Sequence, residues 1–201
     1  RDNMSIHEFI PGAFDPVTVD GQIYAIPWIA DYRVLLLNVD RWEEVGIDVF
    51  ITEDWNWSMF LETAQKLTRY GADGEPVQTG YAADASRWTW LPWLFSNGGS
   101  FFNEDETAAA FNTEAGREAL EFLNQLYTVD VMHPELTGRP NFLAGRAAMF
   151  HTYPGEDNHV LTSAPDMNVW YAMIPQGPSG FGPVTDMNIN YRAIPATTQN
   201  P

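Results

Sequence analysis

One apolar run, YRVLLLNV at residues 32–39, is almost uninterrupted. A strand with one solvent-exposed face would alternate apolar and polar residues, so this run predicts a strand that is buried on both faces. We therefore expect a sheet that is covered by helices. Shorter apolar runs predict further strands at 21–30 (interrupted at Pro27), at 81–83, at the end of 141–152, at 168–175 and at 186–195.

Helical periodicity is clearest at 112–129, where Asn112 or Thr113 is the predicted N-cap and the apolar side follows the 3.6-residue period. Three other segments have helical spacing and end signals. They are 40–46 after an Asp40 cap, 57–71 between a Ser58 cap and Gly71, and 88–97 with a stripe of Trp90, Trp93, Leu94 and Asn97. A short helix is also expected at the start of 141–152. Strands that alternate with helices predict an α/β architecture.

Length and composition fit a globular protein of one domain or two small lobes, with 201 residues of which 45% are hydrophobic. The formal net charge is −17. Such a charge repels phosphate backbones, so nucleic acid is excluded as a partner. An anionic ligand is also disfavoured unless a local group of arginines overrides the overall field, and a neutral or cationic ligand fits more easily.

The sequence lacks the residues or motifs that several kinds of catalytic and metal sites require. The chain has no cysteine, which excludes disulfides and thiolate sites, and its four histidines lack zinc-site spacing. The acidic stretch NEDET at 103–107 lacks the alternating oxygens of a calcium loop. No nucleophile elbow and no phosphate-binding loop is found. We therefore expect neither a metal nor a cofactor. No apolar run reaches the length of a membrane helix.

The eight tryptophans are the most informative residues. Spacing or strand position predicts that Trp42, Trp90, Trp93 and Trp170 pack in the core. Trp88 precedes the helical stripe and follows the polar stretch ADASR, and Trp28 follows Pro27 at a strand end. Their flat indoles match the C–H face of a pyranose ring. Covering roughly 60 Å² of such a face contributes about 1.5 kcal/mol. Asp31 and Arg33, close to Trp28 in sequence, would then hydrogen-bond the hydroxyl groups of a neutral polyol.

Seven segments, in order, resemble the extracellular solute-binding proteins of ABC importers, family 1, the carbohydrate (maltose-binding-protein-like) type. They are DGQIYAIPWIADYRVLLLNVDRWEEVGID (20–48), EDWNWSMFLETAQKLT (53–68), LFSNGGSFFNED (94–105), FNTEAGREALEFLNQL (111–126), FLAGRAAM (142–149), MIPQGPSG (173–180) and NYRAIPATTQN (190–200). Two departures are Leu37, where the family has tyrosine before Asn38, and TED at 52–54 in place of its usual proline.

The resemblance implies a type II periplasmic-binding fold, with two α/β lobes and a ligand cleft between them. Residues 1–27 would end the first lobe and contain the first hinge strand, 28–170 would form the second lobe, and 171–201 would return to the first lobe. Hinge strands are expected near 21–31 and 168–175. We expect the chain to be an internal segment of a longer protein, because it begins without methionine and ends without a closing element.

The resemblance also implies site residues. The acidic contact after the first hinge strand falls on Asp31, the stacking position before the Gly-Gly turn on Trp88, and the loop after the AAM motif on Tyr153 to Glu156. Asp186 to Asn188 would lie near the cleft. Trp28 and Arg33 are added on chemical grounds.

The function implied is a non-catalytic, monomeric sugar-binding component of a bacterial ABC importer, which delivers its ligand to a membrane permease. Its location would be extracytoplasmic, in the periplasm or lipid-anchored at the outer face of the cell membrane. Two alternatives remain at this point. One is a carbohydrate-active hydrolase that pairs Asp31 with Glu156 or Asp186. The other is the same fold with a non-sugar ligand, such as a polyamine, a peptide or a metal chelate.

Overall fold

The computed structural model describes residues 5–49 and 54–198. The first four and last three residues, and most of the TED departure at 52–54, lie outside this range. The strands in chain order are β1 (Thr18–Val19), β2 (Gln22–Ile23), β3 (Ile26–Tyr32), β4 (Val34–Asn38), β5 (Arg69–Tyr70), β6 (Pro76–Gln78), β7 (Met149–Thr152), β8 (Val169–Ala172) and β9 (Met187–Arg192). The α-helices are α1 (Val39–Glu43), α2 (Trp57–Leu67), α3 (Arg87–Ser96), α4 (Glu114–Thr128), α5 (Gly138–Leu143) and α6 (Asp157–Ser163).

The chain divides into two compact units. Unit 1 consists of Arg1–Tyr32 and Met187–Pro201, and unit 2 is the continuous stretch Arg33–Asp186. In unit 1, β1 pairs with β2 and β3 pairs with β9, both antiparallel. The β3–β9 register shifts between Pro27 and Ile29, as expected where a proline offers no N–H to the ladder. Two 3₁₀ turns, Ile6–Glu8 and Asp15–Val17, precede these strands.

Unit 2 is built on a three-stranded sheet in the order β7-β4-β8, with both ladders antiparallel. Every residue of β4 is buried. Leu35 and Leu37 enter the larger core cluster, which also contains residues of α2, α3 and α4. Leu36 points to the other face and enters a smaller cluster that includes Phe142 of α5 and Val160 of α6. The prediction of a strand buried on both faces, within a helix-covered sheet, is confirmed.

The predicted helices form, but two N-caps differ from those predicted. Asn38, not Asp40, caps α1 by accepting a hydrogen bond from the Arg41 amide. Asn56, not Ser58, caps α2 through the Met59 amide, and α2 ends at Leu67, not Gly71. In both helices the cap is the residue whose side-chain oxygen reaches the N3 amide. Thr113 caps α4 as predicted.

Trp42 and Trp93 are buried, and Trp90 packs partly against the larger cluster, as predicted. Trp170 is a correction, because its side chain is 60% exposed. It shares a face with the buried Ala172, but it lies towards the beginning of β8, an edge strand, where its indole remains largely open to solvent. Strand position alone therefore did not decide its burial. Segment 168–175, expected to be a hinge strand, contains β8, which pairs with β4 in the sheet of unit 2.

Candidate functional site

Trp88 lies in the first turn of α3 and is partly exposed, while Trp93 on the same helix is buried in the core. Two guanidinium groups stack on its indole. The Cζ atom of Arg87 lies 4.6 Å from the ring centre and the Cζ atom of Arg33 lies 5.2 Å from it. Cations attract the electron-rich face of an indole, so these contacts hold the two arginines beside the ring.

The two ends of α3, the helix that carries Trp88, are closed differently. The N-cap residue Ser86 makes no side-chain capping bond and the first turn contains no acidic residue. At the other end, the amides of Gly98 and Gly99 bond to the carbonyls of Phe95 and Leu94, with Gly98 at a φ of 73°. This is a Schellman ending, which requires a left-handed residue and explains the Gly-Gly turn.

Tyr153 joins this group from the loop after β7. The Cζ atom of Arg33 lies 5.7 Å from the Tyr153 ring centre, and Nη2 of Arg139 donates to the Tyr153 hydroxyl at 3.2 Å. Arg139, on α5, is in turn bound by Glu156, which accepts hydrogen bonds from its Nε and, at 3.1 Å, from its Nη2. Thr152 donates a further bond of 2.9 Å to Glu156. The Glu156 residue is 0% exposed, so this carboxylate is held inside the protein.

Four of these residues, Arg33, Arg139, Thr152 and Tyr153, line a pocket of about 300 Å³ within unit 2. Its lining contains Arg33, Asp84, Gly138, Arg139, Pro140, Phe150, His151, Thr152 and Tyr153. His151 is buried, with its Nδ1 2.7 Å from the Tyr81 hydroxyl. Burial, and then the positive charge of Arg33, lower the pKa of His151 to about 3, so the imidazole is neutral at physiological pH. Burial also raises the pKa of the Tyr81 phenol.

The predicted residues of unit 1 form a separate group. Trp28, on β3, is 57% exposed, and the Cζ atom of Arg192 lies 3.5 Å from its ring centre. Asp31 is the register partner of Asn188 across the β3–β9 ladder. The structure thus brings Arg33, Trp88, Tyr153 and Glu156 together in unit 2, and Asp31 and Asn188 together in unit 1.

Sequence reasoning missed three members of the unit 2 group: Arg87, Arg139 and His151. Arg139 lies more than a hundred residues beyond Arg33 in the chain, and no local motif connects them. One sequence feature could have drawn attention to the arginines, because the chain has only ten basic residues. Each basic residue of so acidic a protein is a candidate for a specific role.

Metal chemistry gains no support, since the described residues contain no group of three or more metal-ligating side chains. Within the same described ranges, no helix combines the length and apolarity that crossing a bilayer requires.

The family of the chain follows from comparison with known proteins. A family described as bacterial extracellular solute-binding protein matches residues 5–201. The chain belongs to this family. A binding protein of Brucella abortus is 24% identical over 185 residues, which cover 86% of this chain and 42% of that protein. The arabinooligosaccharide-binding protein of Halalkalibacterium halodurans is 25% identical over 170 residues, covering 83% of this chain and 34% of that protein. The chain thus spans less than half the length of these two relatives.

Solved structures show the same fold. An ABC substrate-binding protein of Listeria monocytogenes, in complex with cycloalternan, has a TM-score of 0.83 at 22% identity. The match covers 98% of this chain and 50% of that protein. The expected periplasmic-binding-protein type II fold, represented by about half of such a protein, is therefore confirmed.

Proposed function

We propose that this chain is part of the carbohydrate-binding component of a bacterial ABC importer. The protein would work outside the cytoplasm as a monomer, in the periplasm or anchored at the outer face of the cell membrane. Sugar would bind between two lobes, and the closed, loaded form would be presented to a membrane permease. Contacts that exist only in the closed state would shift the population towards it. Membership of the solute-binding family and the sugar-binding relatives support this proposal.

The observation that carries it is the setting of Trp88. The partly exposed indole stacks with Arg33, and Arg33 lines a pocket that also offers the guanidinium of Arg139, the phenol of Tyr153 and the carboxylate of Asp84. Protein sites for sugars need an apolar plate for the ring and fixed polar groups for the hydroxyls, and Trp88, Arg33 and Tyr153 supply both. We also propose that Trp28, Asp31 and Asn188, on strands β3 and β9, are ligand contacts.

Glu156 takes a different part in this proposal. Its buried carboxylate is engaged by Arg139 and Thr152, so we assign it to positioning Arg139 and, through it, Tyr153. The same ion pair disfavours the hydrolase alternative in which Asp31 pairs with Glu156, because a carboxylate held by a guanidinium is poorly placed to serve as acid or base. The relatives that share the fold are named as binding proteins.

The test is calorimetric titration of the full-length protein with mono- and oligosaccharides, with amino acids and polyamines as comparison ligands. We expect saturable binding of a sugar and a loss of about tenfold in affinity in Trp88→Ala, the size expected from about 1.5 kcal/mol of stacking. Trp170→Ala is the matched control, because it removes a 60% exposed indole of the edge strand β8 on which none of the arginines of the described residues stacks. Binding of a polyamine or amino acid alone would refute the sugar assignment. Equal losses in both variants would refute the role of Trp88.

A further inference from the structure

Three arginines gather around one pocket of unit 2. Arg33 and Arg139 line it, and Arg87, like Arg33, stacks on Trp88. The chain contains only ten lysines and arginines against 27 acidic residues. Concentrating three of these ten at one place opposes the field of the rest of the protein, and mutual repulsion between the guanidinium groups makes the arrangement costly unless something offsets it.

The internal carboxylates do not offset it fully. Arg139 is paired with Glu156, whereas Arg33 and Arg87 both stack on the indole of Trp88. Asp84 is the one acidic residue among the lining residues of this pocket. The charged lining residues Arg33, Arg139 and Asp84 therefore sum to +1, within a chain of formal net charge −17.

Two more features give the pocket positive polarity. The Arg33 charge acts on the buried His151, where it adds to burial in lowering the pKa of the imidazole. The first turn of α3, a ten-residue helix, carries Arg87 and Trp88 with no acidic residue and no side-chain cap. The positive end of the helix dipole therefore adds to the charge of the two arginines.

Resting on the proposed sugar-binding function, we propose that the ligand is an acidic saccharide whose carboxylate is bound by Arg33 and Arg87 beside Trp88. A guanidinium offers parallel N–H donors that match the two oxygens of a carboxylate. The uronic acids are the sugar class with this chemistry, since they carry a carboxylate where a neutral hexose carries a hydroxymethyl group. The overall negative charge of the protein would repel such a ligand, and this local group of arginines is what would offset that repulsion.

The experiment compares matched pairs of sugars by calorimetry on the full-length protein. The panel contains glucuronate with glucose, galacturonate with galactose, mannuronate with mannose, and disaccharides of each kind, with glutarate as a non-sugar dicarboxylate. We expect the tightest ligand of the panel to be a uronic acid saccharide, bound at least about tenfold better than its neutral counterpart. Added sodium chloride should reduce this advantage, because partly exposed charges are screened.

The outcomes separate this inference from the proposed function. Tightest binding of a neutral sugar, or equal binding within the best pair, overturns the inference and leaves the sugar-binding function intact. Binding of glutarate alone overturns it as well, because the site would then recognise a carboxylate without a sugar. No binding by any sugar overturns both.

Substitution locates the effect. Arg87→Gln should lower the affinity for the acidic member of the best pair by about tenfold, the loss expected for one charged hydrogen bond. Arg117→Gln is the matched control, since it makes the same change of charge on the exposed side of α4, where Arg117 pairs with Glu114 and Glu121. Equal losses in the two variants would assign the effect to net charge and overturn the inference.

Discussion

The hydroxyl of Tyr81 lies 2.7 Å from Nδ1 of His151, and both side chains are buried. The surroundings favour the neutral form of each partner, because burial raises the pKa of Tyr81 and, together with Arg33, lowers the pKa of His151. The pair therefore joins the larger core cluster to the candidate pocket by a hydrogen bond between uncharged groups.

The first prediction concerns pH. His151 titrates near 6.5 when unfolded and about 3 when folded, so the unfolded chain binds more protons between these values. The contribution of His151 is complete above pH 6.5 and is lost as the pH falls towards 3, at up to about 1.4 kcal/mol per pH unit. We expect urea unfolding to show a loss of stability from pH 7 to pH 5 that is about 2 kcal/mol smaller in His151→Gln than in the unsubstituted protein.

The quantity to compare is the slope of the free energy of unfolding against pH. The absolute stability of His151→Gln is lower at every pH, because the variant loses the hydrogen bond to Tyr81. His159→Gln, at an exposed position of α6, is the control and should retain the slope of the unsubstituted protein. Identical pH dependence in His151→Gln would show that another group is responsible.

The second prediction concerns Arg139 and Glu156. Removing one partner of a buried ion pair leaves the other charge behind, and the cost depends on whether that charge can reach water. Glu156 is buried, whereas the Arg139 side chain is 35% exposed. Arg139→Met should therefore cost about 3–5 kcal/mol in the free energy of unfolding, and Glu156→Gln about 1–3 kcal/mol. Chemical denaturation at neutral pH measures both values, and the reverse order would contradict the burial argument.

The third prediction tests the correction at Trp170. Trp93 is completely buried and its ring lies 5.1 Å, centre to centre, from those of Phe60 and Phe122. Trp93→Ala should destabilise the protein by about 3–5 kcal/mol, because it removes a large core side chain and leaves a cavity. Trp170→Ala makes the same chemical change at a 60% exposed position and should cost about 1 kcal/mol or less. Similar losses of unfolding free energy in the two variants, measured by urea unfolding, would show that Trp170 packs in the core.

The main architecture could be predicted because the signals for it are local. The unbroken run before Asn38 identified the central strand, since a strand enclosed on both faces has no position for a polar side chain. The period of α4 and its Thr113 cap were equally visible. The α1 cap was missed because Asp40 has another partner. Its carboxylate accepts hydrogen bonds from the backbone and side chain of Asn168, far along the chain.

The candidate site could be predicted only in part, for the same reason. Trp88 was singled out by its neighbours in sequence, and the structure places it beside Arg33 and near Tyr153. Arg139 reaches the pocket because α5 packs on β7. The residues near Arg139 in the sequence contain no motif that predicts this packing. The engagement of Glu156 by Arg139 is likewise a tertiary contact. The ligand-binding roles of these residues stay predictions until the titrations are made.

The interrupted connectivity of unit 1 has a consequence for the order of folding. Strands β3 and β9 are paired, yet the whole of Arg33–Asp186 lies between them in the chain. Pairing them in an otherwise unfolded chain would require closure of a very long loop, with its entropic cost. Once unit 2 has folded, Arg33–Asp186 is compact and no longer a flexible loop. Tyr32 and Met187 can then pair at a greatly reduced entropic cost. The β3–β9 pair is therefore expected to form late in folding, after the segment Arg33–Asp186 between its strands has folded.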